Sequence, residues 1–229
     1  MTAGEHGRAP ASDLVDVRLL DAIDVGGCAM CAVRTRSERA TLDTIIAERV
    51  LDLGFRAGLE RDHAFCRRHA GELIEADRRA SGILGSSILY GAMLERRLVA
   101  LRDAVKRNGR ARRTRLEASG RRPPCGVCVQ GATGVETAIW RLVERAADPA
   151  WAGLMGRIPF CLDDLGTLFA AAGDAPSFGP IATAQLERLE DLHGRLEGYA
   201  HHSAHDRRHL LTDGERAAAA EAAKALGGG

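Results

Sequence analysis

Cys28-Ala29-Met30-Cys31, followed after 34 residues by Cys66-Arg67-Arg68-His69, returns as Cys125-Gly126-Val127-Cys128, followed after 32 residues by Cys161-Leu162-Asp163-Asp164. A phenylalanine, Phe65 or Phe160, precedes the third cysteine each time, and the two passages use all six cysteines. A pattern that recurs with every member accounted for is an internal duplication, so each copy reads as one structural unit.

The surroundings of both copies are helical. Thr35-Arg-Ser-Glu38 and Thr133-Gly-Val-Glu136 read as capping boxes at helix starts. Amphipathic helices are expected over about Arg36–Leu53 and Gly134–Ala147, and Asp148-Pro149 reads as a cap with proline in the first turn. The third cysteine of each copy opens a further helix, Phe65–Arg79 and Phe160–Ala172. Long helices then close the copies. In the first, Leu84, Ile88, Gly91, Leu94, Leu98, Leu101 and Val105 step by three or four, a core-facing or coiled-coil stripe. The second runs from about Ser177 to Arg208, and a last helix begins at a third capping box, Thr212-Asp-Gly-Glu215. No long alternating run rich in β-branched and aromatic residues is present. The fold class is therefore all-α: two pseudo-repeated helical units, each pinned by a cysteine-rich knot. The expected division is a flexible tail (1–20), a first repeat (21–108), a basic linker (109–124) and a second repeat (125–229).

Ligands three residues apart converge on one ion when they sit in a tight turn or a first helical turn, and a second such pair completes a tetrahedron. Within the first copy this assigns Cys28, Cys31, Cys66 and His69 to one metal ion. Sulfur–nitrogen ligation suits zinc, and four protein ligands suggest a structural site. An iron–sulfur cluster and redox thiols are the alternatives. Within the second copy the set is Cys125, Cys128, Cys161 and Asp164. A carboxylate in place of imidazole adds one negative charge, which calls for arginines or helix dipoles nearby. Three outcomes stay open there: Asp164 ligates, a histidine from the C-terminal half replaces it, or water leaves an open Lewis-acid site. His201, His205 and His209 share a helix face, and His201 or His205 is the candidate substitute; a polar helix end is the favoured account of all three. His63 can stand behind the first site or lie at the surface.

The rest of the chain narrows the function classes. Its 229 residues are 45% hydrophobic and 28% charged, ordinary for a globular protein. A formal net charge of +1 argues against a globally basic nucleic-acid binder. Lys106–Arg122 carries eight basic residues against Glu117; it reads as a solvated linker ahead of a phosphate grip. No membrane span and no secretory signal are read, so a reducing, cytoplasmic setting is expected. No phosphate-cradling loop, dinucleotide fingerprint, nucleophile elbow or His-Glu-x-x-His motif is present, and whether the protein is an enzyme stays open.

The duplicated Cys-x-x-Cys … Phe-Cys-x-x-His units, each followed by a long helix, resemble a group of uncharacterised bacterial helical proteins that share a domain of unknown function. The resemblance covers about Asp21–Gly227, with Asp164 departing from its pattern. It implies metal binding and brings no reaction with it. The resulting expectation is a zinc-binding helical interaction or regulatory module with a protein partner or a second copy of itself. The alternatives are a metal- or thiol-dependent enzyme acting at the second site, or an iron–sulfur, redox or metal-handling protein.

Overall fold

The computed structural model describes residues 9–59, 61–62, 64–80, 82–106, 109–120, 123–204 and 206–227. Among these the fold is all-α, with eleven α-helices and no strand. The chain divides into two compact units, but not at the joint between the copies. One unit holds 1–34 and 134–229, the other 35–133. The boundaries fall inside α2 (Ala29–Thr44) and α7 (Gly126–Arg145), the helices that begin at the two Cys-x-x-Cys motifs.

The first unit contains α1 (Leu14–Asp24), the start of α2, most of α7, α8 (Pro149–Arg157), α9 (Leu162–Ala172), α10 (Phe178–His202) and α11 (Asp213–Gly227). Its core gathers Leu19, Met30, Ile139, Leu142, Trp151, Met155, Phe160 and Leu168. Of the tail expected over 1–20, residues 9–20 are described, and from Leu14 they belong to α1. Asp13 caps α1 by accepting from the backbone N–H of Val15 and Asp16, and the Trp151 indole donates to the Pro10 carbonyl at 3.2 Å. Asp16 is buried against Arg145 and accepts from Ser12 at 2.9 Å.

Two end-to-end details place the cysteine loop between α8 and α9. Asp148 caps α8 with Pro149 in the first turn, as the sequence predicts. At the other end, buried Gln185 of α10 donates to the carbonyls of Met155 and Ile158, both at 2.8 Å. These are carbonyls that the end of α8 leaves without helical partners. The third predicted capping box is also present: Thr212 N–H donates to Glu215 at 2.8 Å and Glu215 N–H donates to the Thr212 hydroxyl at 3.2 Å.

The second unit contains the rest of α2, a wide π turn (Ile45–Arg49), α3 (Leu53–Gly58), α4 (Arg67–Ala80), α5 (Leu84–Val105), α6 (Gly109–Gly120) and the start of α7. Leu42, Ile45, Leu59, Phe65, Leu73, Leu89 and Val127 form its core. Three expectations change here. Thr35–Glu38 and Thr133–Glu136 lie inside α2 and α7 rather than at their starts, because the cysteine pairs already begin those helices. Much of the basic segment expected as a linker is helical, α6, packed against α5. Finally, α5 presents Leu84, Leu94, Leu98, Leu101 and Val105 to solvent and buries Ser86, Leu89 and Ala104 instead.

Candidate metal centres

Each of the four ligand pairs occupies the same place on a helix. Cys28, Cys66, Cys125 and Cys161 stand immediately before α2, α4, α7 and α9, and each backbone carbonyl accepts the first helical hydrogen bond. Cys31, His69, Cys128 and Asp164 follow in the first turn. A spacing of three from the cap folds both side chains onto the helix N-terminus, where free N–H groups and the dipole favour thiolate.

The pairing of the helices is where the structure departs from the sequence assignment. Cys66 and His69 meet Cys125 and Cys128, while Cys28 and Cys31 meet Cys161 and Asp164. The sets Cys28–Cys31–Cys66–His69 and Cys125–Cys128–Cys161–Asp164 are therefore not the ones assembled. Each copy contributes its Cys-x-x-Cys pair to one centre and its second pair to the other. All eight named residues are used, and each foursome lies within one unit of the chain. In each, the ligand atoms lie within 4.8 Å of one another.

The Cys3His centre has His69 Nδ1 at 3.4 Å from Cys66 Sγ and 3.3 Å from both Cys125 and Cys128 Sγ. Cys66 and Cys128 sulfurs are 3.8 Å apart. A tetrahedral zinc with bonds of about 2.3 Å to sulfur requires a sulfur–sulfur edge of about 3.8 Å. A local backbone pairing holds the two loops together: Ala64 N–H donates to Pro124 O and Gly126 N–H to Ala64 O, both at 3.3 Å. Phe65 is buried beneath.

His69 is wholly buried, and its other ring nitrogen faces Glu38, whose Oε2 is 3.3 Å from Nε2. Arg68 binds the second oxygen of Glu38 at 2.8 Å. Carboxylates in this position fix the ring orientation of metal-binding histidines. Gly131 makes room for Glu38, since a Cβ there would come within 2.7 Å of its side chain. Burial opposes ionisation of the Cys66 thiol, but N–H groups of the α4 terminus and the neighbouring thiols lower its pKa. Burial, then the adjacent Cys125 and Cys66 sulfurs, push Cys128 up to about 12.

In the Cys3Asp centre, Asp164 Oδ2 lies 3.0 Å from Cys161, 3.4 Å from Cys28 and 3.5 Å from Cys31. Cys31 and Cys161 sulfurs are 3.9 Å apart. The other carboxylate oxygen is bound by Arg34 at 3.1 Å. This leaves one oxygen facing the sulfurs and supplies a counter-charge that a Cys3Asp set requires. Arg188 of α10 adds a second cation; it donates to Phe160 O at 3.1 Å, holding the loop that delivers Cys161. Gly26 and Gly27, at φ of 81° and 77°, make the left-handed turn from α1 into Cys28, a path only glycine takes without strain. Burial, then the Asp164 carboxylate, raise the pKa of Cys161.

Among the described residues, the C-terminal histidines His201, His202 and His209 are not part of this centre. His201 contacts Arg207, His202 bonds Glu215 at 2.9 Å, and His209 is exposed on a short 3-10 turn. His63 and His205 lie outside the described residues. All six cysteines are free.

Sequence reasoning missed Glu38 and Arg34. Glu38 was absorbed into an apparent capping box. Arg34, one turn beyond Cys31 on the same helix, was legible as a neighbour of the site, but which carboxylate it would meet was not.

The fold and these two clusters define an all-helical protein with two cysteine-rich centres suited to metal ions. No family model, curated protein or solved structure matches the chain. No helix of the described residues is long and apolar enough to cross a membrane.

Proposed function

We propose that this chain is a zinc protein of the cytoplasm with two closed four-ligand centres, serving as an interaction or regulatory module. The observation that carries the reading is the convergence of two complete ligand sets, each on a pair of helix N-termini. Zinc is favoured by tetrahedral-scale spacing and by a donor set of sulfur with nitrogen or carboxylate. Closure is favoured at the second centre because Asp164 takes the fourth place that water would need for Lewis-acid catalysis. The interaction role draws support from the solvent-facing apolar residues of α5, whose Leu94, Leu98, Leu101 and Val105 keep the alternating four-and-three spacing of a coiled-coil seam.

Metal content of untagged protein, measured by elemental mass spectrometry beside an absorbance spectrum, tests the reading. Two zinc ions per chain and no visible absorption are expected. Iron with a broad band near about 400 nm, typical of thiolate-bound clusters, would replace zinc with an iron–sulfur assignment. A metal-free protein with freely titrating thiols would leave thiol redox chemistry instead.

A further inference from the structure

The Cys3Asp centre has a neighbour within its own unit. A cavity of about 310 Å³ is walled by Gly27, Cys28 and Pro159–Cys161 on one side and by α10 and α11 on the other. Its size matches the small end of ligand sites, about 300–1,000 Å³. The helical wall carries Arg188, Arg195, Lys224 and Glu221. Arg195 is already matched, bonding Glu221 at 2.7 Å and Asp191 at 2.9 Å. Arg188 donates to two neutral oxygens, those of Gln185 and Phe160, at 3.3 and 3.1 Å. Lys224 stands at the exposed side. The cavity thus offers cations at one wall and two cysteines of the metal centre at the other.

That juxtaposition selects a ligand with two different ends. An anionic group meets Arg188 and Lys224. The far end meets a sulfur-rich centre, which exchanges most readily with another soft donor. We propose that the cavity binds a small anionic thiol, and that it makes the Cys3Asp centre the exchangeable one of the two. With a metal ion held there, an incoming thiol would take the place of Cys28 or Cys161, one metal–sulfur bond being exchanged for another. Its proton would pass to the displaced cysteine, so that no oxidant or reductant would be consumed. The proposal rests on the zinc reading above.

The test uses full-length protein whose content of two zinc ions has been verified. Zinc release to a chromogenic indicator is followed with mercaptosuccinate and with 2-mercaptoethanol at equal thiolate concentration. One zinc is expected to leave faster than the other, and mercaptosuccinate to outpace the neutral thiol. Succinate alone should slow the mercaptosuccinate reaction by competing for the cations. Lys224→Gln should lower the mercaptosuccinate rate about threefold, the effect of removing one charge at contact distance in water. Lys106→Gln, in the other unit, serves as the control and should change nothing. Equal rates for the two thiols, or indifference to Lys224→Gln, would overturn the proposal while leaving the two-zinc reading intact. A protein that never loads two zinc ions sinks both.

Discussion

Glu38 and Arg34 show how a single charge is matched to its ligand. The histidine centre has a carboxylate behind it; the aspartate centre has a guanidinium. Exchanging Glu38 for Gln keeps the shape and removes the charge facing His69 Nε2. Zinc affinity at that centre should fall about 10- to 100-fold, the usual cost of losing such a partner, as read by competition with a chelator of known affinity. Gly131→Ala should act in the same direction by displacing Glu38. Asp16 offers a test by pH. Burial works to raise its pKa, but hydrogen bonds from Arg145 and Ser12 outweigh it and hold the pKa below the ordinary value of 3.8. A carboxyl depressed in the folded state stabilises above its unfolded pKa, and that stabilisation fades as pH falls toward the folded value. Denaturation of wild type and Asp16→Asn should therefore differ most at neutral pH and converge in acid below about pH 4.

Among the elements, α5 starts in an unusual way. Its cap residue Ile83 provides no side-chain bond. Buried Asp77 of α4 substitutes, accepting from Ser86 N–H at 2.7 Å and from its hydroxyl at 2.9 Å. Asp77→Ala leaves that buried donor unpaired and should lower stability by about 1–3 kcal/mol, measurable by urea unfolding. Gln185 plays the matching part for the loop before Cys161. Its replacement by Leu should weaken the Cys3Asp centre while sparing Cys3His. The helices themselves were largely legible: capping at Asp148 and Thr212, and the long amphipathic periods, rest on contacts within a few residues. The orientation of α5 was not. Its spacing marks an apolar seam, but the face that packs was chosen by α4 through Asp77 and Leu73, and by α6 alongside.

For the molecule as a whole, the crossed pairing makes a prediction by counting. Cys28→Ser with Cys161→Ser should remove one zinc per chain, because both belong to one centre. Cys28→Ser with Cys66→Ser should impair both centres, although these residues sit in the same sequence repeat. Elemental analysis of the two double variants separates crossed from sequential pairing. Structural zinc sites are worth on the order of 10–16 kcal/mol, more than the net stability of a typical domain. Chelation at neutral pH should then unfold the protein cooperatively, visible as loss of helical circular dichroism. Acid should favour the same outcome, since protons compete with metal for the thiols.

The sequence by itself determined the helical class, the eight residues that gather in the two clusters and the helix starts at Cys66 and Cys161. These depend on spacing of three residues, on caps and on periodicity, all of which act over a single turn or along one helix. The helices that begin at Cys28 and Cys125, by contrast, are expected from the sequence to start later, at Thr35 and Thr133. Only the tertiary structure decided which pairs meet. Two Cys-x-x-Cys pairs and two partners permit sequential or crossed centres with identical local chemistry. The choice is made by where the chain carries α4 and α9. The Ala64–Gly126 pairing brings the Cys125 loop to Cys66, and the bonds of Gln185 and Arg188 set the loop that delivers Cys161 beside Cys28. Those contacts join residues far apart in the chain, and no local pattern encodes them.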